Sequence, residues 1–244
     1  MKNSLITAVV AVSMCGFSLI LCLLISVWTA VAAEQGKTRT VNMAPVAQWI
    51  ARQSDLRTLS ADFIQTRALK TLKDPLKSPG KLWFQAPDAF RWELEGKPGE
   101  PLKAILLRRK DDVLLISPRQ KKATRYSAKT ITGKAGAQGL AMMEFPMAKN
   151  LSDFLRQFDV QDLQMTGQRC ELAVLPKDVA ARKYLKSLLI SFDTVTGYLL
   201  SFEMTTKEGS TLRNEFSNVR VNGPVDKTVF DFDFTGYQVV DGKG

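Results

Sequence analysis

The chain has 244 residues, 45% of them apolar and 24% charged, with 34 Lys and Arg against 24 Asp and Glu. That is the composition of a globular protein and not of a disordered or collagen-like one. The net charge of +10 arises without a single His, which excludes His-based acid–base catalysis and His metal ligation.

The first 33 residues stand apart. Met1-Lys2-Asn3 is a short basic start, Leu5 to Val31 is almost wholly apolar, and Ala30-Val31-Ala32-Ala33 places small residues before Glu34. Residues 1–33 read as a secretory signal peptide; the alternative is an uncleaved anchor, because the apolar run is long enough to span a bilayer. Cys15 and Cys22 do not make a lipidation site, since Met14 and Leu21 stand where a small residue should precede the Cys. Residues 34–244 read as a single domain whose one Cys, Cys170, rules out an internal disulfide.

In chain order, Pro45 suits the first turn of a helix, and Val46, Trp49, Ile50, Gln53 and Leu56 follow at helical spacing. Leu59 opens a first strand. Leu82-Trp83-Phe84 leads through Ala86-Pro87-Asp88-Ala89 into Phe90-Arg91-Trp92-Glu93-Leu94, whose period of two sends aromatics to one face and charges to the other. Residues Leu102 to Leu107 and Val113 to Ser117 form a hairpin around a charged turn, and Lys121 to Ser127 is a polar edge strand. The segment 128–149 breaks the rhythm, with Gly133, Gly136 and Gly139 ahead of Met142, Met143, Phe145 and Met147. Its length without periodicity fits a lid or mouth as well as a plain loop. Asn150 or Ser152 caps a short helix that carries Phe154 and Leu155. Strands then run over Val160–Thr166, Cys170–Leu175, Leu188–Asp193, Tyr198–Thr205 and Thr211–Val221, with a helical turn between Pro176 and Leu185. About eleven strands joined by short links predict an antiparallel meander curled into a barrel or a strongly bent sheet.

Taken together, Leu59-Ser60-Ala61-Asp62-Phe63-Ile64-Gln65, then Gly80-Lys81-Leu82-Trp83-Phe84, then Pro87-Asp88-Ala89-Phe90-Arg91-Trp92 resemble the LolA-type periplasmic lipoprotein carriers. Ile190 to Phe202, Phe216 to Val219 and Phe230 to Phe234 extend the resemblance, so that it covers roughly Pro45 to Val240. It implies a mainly β (α+β) fold: an incomplete antiparallel β-barrel of about eleven strands, with covering helices and a hydrophobic cavity. It further implies a non-enzymatic, monomeric periplasmic carrier without a cofactor. Such a carrier takes the acyl chains of lipoproteins from an inner-membrane transporter to an outer-membrane acceptor. On that reading Phe63, Trp83, Phe84, Phe90, Trp92 and Leu94 line the cavity, and Met142, Met143, Phe145, Phe154 and Leu155 form the lid or mouth. The family's lid latch is a basic residue just before the second-turn Pro; this chain has Ala86 there, and Arg91 is the nearest basic side chain available for a lid or partner contact.

Other readings remain beside this one. The fold could serve another lipid, or the aromatics could fill an ordinary core in an envelope scaffold. An enzyme would have to rest on Cys170, in an apolar strand, or on a Ser-Lys pair. The basic groups Lys70, Lys73, Lys77, Lys81, Arg108, Arg109, Lys110, Arg119, Lys121, Lys122 and Arg125 suit solvated turns or docking on an anionic membrane surface. Nucleic acid is not expected, since no base-stacking aromatics lie among them.

Overall fold

The computed structural model describes residues 41–127 and 150–242. Its helix α1 (Ala44–Gln53) carries Pro at its start, where the missing N–H costs nothing, and buries Val46, Trp49 and Ile50. Six strands follow: β1 (Thr58–Ala68), β2 (Leu76–Gln85), β3 (Ala89–Leu94), β4 (Ala104–Arg109), β5 (Asp112–Ser117) and β6 (Lys122–Ser127). Helix α2 (Leu151–Gln157) begins at Asn150, whose side chain accepts from the Asp153 amide. Then come β7 (Phe158–Thr166), β8 (Arg169–Pro176), helix α3 (Val179–Tyr184), β9 (Leu185–Asp193), β10 (Leu199–Thr206) and β11 (Thr211–Val221). The eleven strands expected from alternation are all present. A twelfth, β12 (Gln238–Asp241), pairs in parallel with β6 and is too short to carry a sequence signal.

All twelve belong to one sheet, in the order β12-β6-β5-β4-β3-β2-β1-β11-β10-β9-β8-β7. Every pairing but the β12–β6 one is antiparallel, and β7 and β12 do not pair with each other, so the curved sheet stays open. One face, the inner face, holds two apolar clusters. Phe192, Phe202, Ile190, Leu172 and Leu188 pack under α1 and α2 on the β8–β10 side. Phe63, Leu82, Phe90, Trp92 and Val113 pack on the β1–β5 side. Phe216 on β11 touches both.

The outer face of β4–β6 is covered by the C-terminal segment, where Phe230, Phe232, Phe234 and Tyr237 pack over Ile105, Leu107, Leu114 and Ile116. The acid–aromatic alternation of residues 228–234 is therefore not a strand in the sheet: it starts as a 3-10 turn (Lys227–Phe230) and runs on as an irregular strap. Strands β4 and β5 are thus apolar on both faces, which suits their nearly unbroken apolar sequences.

Gly80 on β2 sits opposite Phe63 on β1. The space that a Cβ would fill at Gly80 is taken by the Phe63 ring and the Glu93 carbonyl. The Phe63 ring thereby reaches Trp92, with centroids 3.9 Å apart. Gly80→Ala is expected to destabilise the fold by about 2 kcal/mol, lowering Tm by roughly 4–8 °C; an unchanged thermal melt would show that the ring is not held by this gap.

Candidate functional site

The inner face is built by register. Cross-strand pairs align Leu59, Phe84, Phe90, Arg108, Val113 and Tyr126 in one row from β1 to β6. Ala61, Leu82, Trp92, Leu106, Leu115 and Thr124 form the next row. Side chains two apart share a face, so these rows are a single wall.

Of the residues expected to line a cavity, Phe63, Phe90 and Trp92 are buried together on that wall, with Phe84 and Leu94 packed against them. Phe90 and Trp92 stack at 6.4 Å, and Trp92 meets Phe216 edge-on at 6.2 Å. Trp83 is separated from them. It alternates with Leu82 and Phe84 and therefore projects to the outer face, among Phe230 and Phe232. Arg91, opposite Trp83 in the β2–β3 pair, is on that outer face too. Its guanidinium donates to the Val229 carbonyl at 2.8 Å and the Asp231 carbonyl at 3.1 Å, and pairs with Glu93 at 2.5 Å. Arg91 thus clamps the C-terminal strap. Among the lid candidates, Phe154 is buried in the cluster beneath α1, close to Phe158, whereas Leu155 is 36% exposed. Met142, Met143 and Phe145 lie outside the described residues.

Where the two inner clusters meet, an apolar pocket opens beneath the C-terminal end of α1. Leu59, Ala61, Leu82, Leu199, Phe216 and Val219 line it, with Trp49 and Leu56 above. Its enclosed space is about 40 Å³, well below the roughly 300–1,000 Å³ typical of ligand pockets. An acyl chain would enter only by displacing α1 or by spreading the aromatic cluster.

The pocket depends on a bulge that alternation analysis passed over. The β1–β11 register shifts between Ser60 and Asp62, so that Phe63 pairs with Phe216 but Leu59 pairs with Val221. One extra residue on β11 reverses the parity of the strand. Val219 and Val221 therefore face inward, where Asn218 and Arg220 would otherwise point. Asn218 takes up the distortion in the left-handed region, at φ 51°, and its amide donates to the Asp62 carboxylate at 2.7 Å; Asn tolerates this backbone better than most residues. The signal was in the sequence, as the switch from even to odd apolar positions between Phe216 and Val219.

Helix α1 is tied down at the same end. The Arg52 guanidinium donates to the Val195 carbonyl, and the Gln53 amide to the Gly197 carbonyl at 3.1 Å. These acceptors lie in the β9–β10 turn, which the Asp193 carboxylate organises by accepting from the Val195 and Thr196 amides. The Thr196 amide above all, with Arg52 contributing, holds the Asp193 carboxyl below the usual carboxylate range. Ala86, the position at which the resemblance implied a latch, is exposed and carries no charge; its amide donates to the Arg57 carbonyl, just beyond α1, at 2.8 Å. Arg52 and Gln53 hold α1 to the β9–β10 turn; the sequence pattern placed Gln53 on the packing face of the helix and left Arg52 unremarked.

The fold is thus an open, curved antiparallel sheet with an apolar inner face and a helix laid over it. Residues 54–233 match the family model described as "Outer membrane lipoprotein carrier protein LolA". The chain belongs to the LolA family, an envelope family whose carriers are non-catalytic. Solved structures of similar fold include an uncharacterized conserved protein from Thermus thermophilus, at 7% identity and TM-score 0.50, covering 82% of this chain and 100% of that one. A DUF1329 family protein from Desulfovibrio piger shares 14% identity at TM-score 0.45, over 80% and 98% of the two chains. A LolA superfamily protein from Nitrosomonas europaea shares 12% at TM-score 0.40, over 77% and 98%. No curated protein sequence matches the chain.

Cys170 is wholly buried on β8, and that burial, with Glu171 beside it, pushes its thiol up to about 11. A thiol that far above neutrality is not a nucleophile at physiological pH. The native protein is expected to resist a thiol-alkylating reagent at pH 8 for hours and to react fully once denatured; rapid native labelling would contradict the burial.

Proposed function

We propose that this protein is a periplasmic carrier that takes the acyl chains of lipoproteins on the inner face of its open barrel and moves them from an inner-membrane donor to an outer-membrane acceptor. The observation that carries the reading is the apolar pocket at the seam between the two inner clusters, closed by a helix held through side-chain-to-carbonyl ties. Such ties are individually weak, of the order of 1 kcal/mol each. Burying acyl methylenes is worth about 0.8 kcal/mol apiece, so a few of them offset the two ties; the burial of Val46, Trp49 and Ile50 that moving α1 gives up is recovered as the acyl chain covers the same surfaces. The small resting volume fits a pocket that expands around its cargo and closes when empty. Membership of the LolA family supports lipoprotein as the cargo class.

The link between β1 and β2 supports docking on an anionic membrane surface. Together with the first two residues of β2 it presents Lys70, Lys73 and Lys77, with Leu72 and Leu76 exposed among them, a mixture suited to anionic headgroups and their acyl boundary. Membrane contact there would leave the seam pocket free at the opposite end of β1.

Binding of a fluorescent acyl probe by the purified protein tests the reading. The wild type is expected to bind saturably. Val219→Trp, which fills the pocket from a half-buried position, is expected to weaken binding at least about tenfold, the equivalent of excluding two methylenes, with Tm little changed. No binding by the wild type, or equal binding by the variant, would contradict it.

A further inference from the structure

Arg108 does not belong with the solvated basic groups. On β4 it alternates with Leu107 and Arg109 and projects to the inner face, directly between Phe90 on β3 and Val113 on β5. Both neighbours are buried members of the inner cluster. Its Nε is sealed from solvent with no acceptor, and its guanidinium makes no hydrogen bond or ion pair with any described residue. Every other described Arg on a buried part of the sheet has partners: Arg91 has Glu93 and two carbonyls, and Arg213 has Glu203 and Glu215. A guanidinium cannot shed its charge; Arg108 is half-buried, and the standing cost falls on its sealed, unpaired Nε. Beside it on the same face Leu115 is 43% exposed and Leu106 is half-buried. An unsatisfied planar donor next to uncovered apolar surface is complementary to an amphiphile with an anionic head.

We propose that Arg108 is the headgroup site of the carrier, binding the carboxylate or phosphate of an acyl lipid whose chain lies along the adjoining apolar rows. The guanidinium fork matches either oxyanion through paired N–H donors. Arg108 lies three strands from Leu59 in the same row, about 14 Å at ordinary strand spacing, with Phe84 and Phe90 between. A chain anchored at Arg108 would therefore run over these rings toward the seam pocket. The inference rests on the reading that the inner face takes acyl chains, and it changes the cargo: a lipoprotein's lipid anchor is joined through uncharged thioether, ester and amide groups, so a site at Arg108 favours an anionic acyl lipid instead.

Titration of the purified protein with a fluorescent fatty acid and its methyl ester at pH 8 separates the two. The acid is expected to bind at least about tenfold more tightly than the ester, the gain of a charge-assisted contact at a half-buried guanidinium. Arg108→Met should bring that ratio close to one while leaving the ester's affinity within about twofold; Arg108→Gln provides a second removal of the charge if the Met variant misfolds. A lysophosphatidic acid against the matching monoacylglycerol repeats the comparison for phosphate. A preference for either anion that vanishes in the variants supports the site. Equal binding of charged and uncharged forms by the wild type, or a preference that survives loss of Arg108, overturns it. Failure of the ester and the acid alike to bind would overturn the carrier reading instead.

Discussion

The contact on which the inner face depends is the Phe63 ring lying in the gap that Gly80 leaves across the strand pair. Because Gly80 has no Cβ, Phe63 can lie flat enough to meet Trp92 from one side and Phe216 from another. That places three aromatics from β1, β3 and β11 in one cluster and ties the central β1 to strands on both sides of it. Large rings in offset or edge-on contact add stabilisation beyond their buried area. A larger residue at 80 would push the ring off the wall and weaken the packing between the two halves of the sheet, which the β1–β11 ladder would still join.

From that anchor the rest of the site follows by register. The bulge at Ser60–Asp62 against Asn218 reverses β11 just beyond Phe216, so that valines, and not Asn218 and Arg220, complete the wall beneath α1. The same alternation on the other side brings one guanidinium, Arg108, into the apolar row. The outer face is closed by the C-terminal strap and the Arg91 clamp. On the inner face the Arg108 Nε, sealed and without an acceptor, lies beside the apolar rows, which is the juxtaposition the headgroup proposal rests on.

Much of this was legible beforehand. Strands β1–β11 and the helix around Trp49 follow from period-two and period-3.6 patterns, and the order of Leu59–Gln65, Gly80–Phe84 and Pro87–Trp92 marks the family. What was not legible involves choices of face and distant partners. Trp83 and Phe84 are adjacent in an apolar run, and only the pairing with β1 and β3 decides that Phe84 turns inward and Trp83 outward. In the strap over β4–β6 acids and aromatics alternate as in an edge strand; its Arg91 clamp lies 138 and 140 residues before the carbonyls it holds, and nothing local distinguishes a strap from an edge strand. Arg108 was grouped with Arg109 and Lys110 as a charged turn, although a strand continuing through it necessarily sends it to the opposite face from Arg109. The tie from Arg52 and Gln53 to the β9–β10 turn spans more than 140 positions and leaves no local mark.

The central claim, that this inner face holds a lipid, is tested most directly by mass spectrometry of lipid extracted from the native protein after purification from its own envelope without detergent. The account predicts acylated lipid in near-stoichiometric amount, lost when the seam is filled. Recovery of protein free of any acyl species, with the fold intact, would contradict it and leave the aromatic wall as an ordinary packed core.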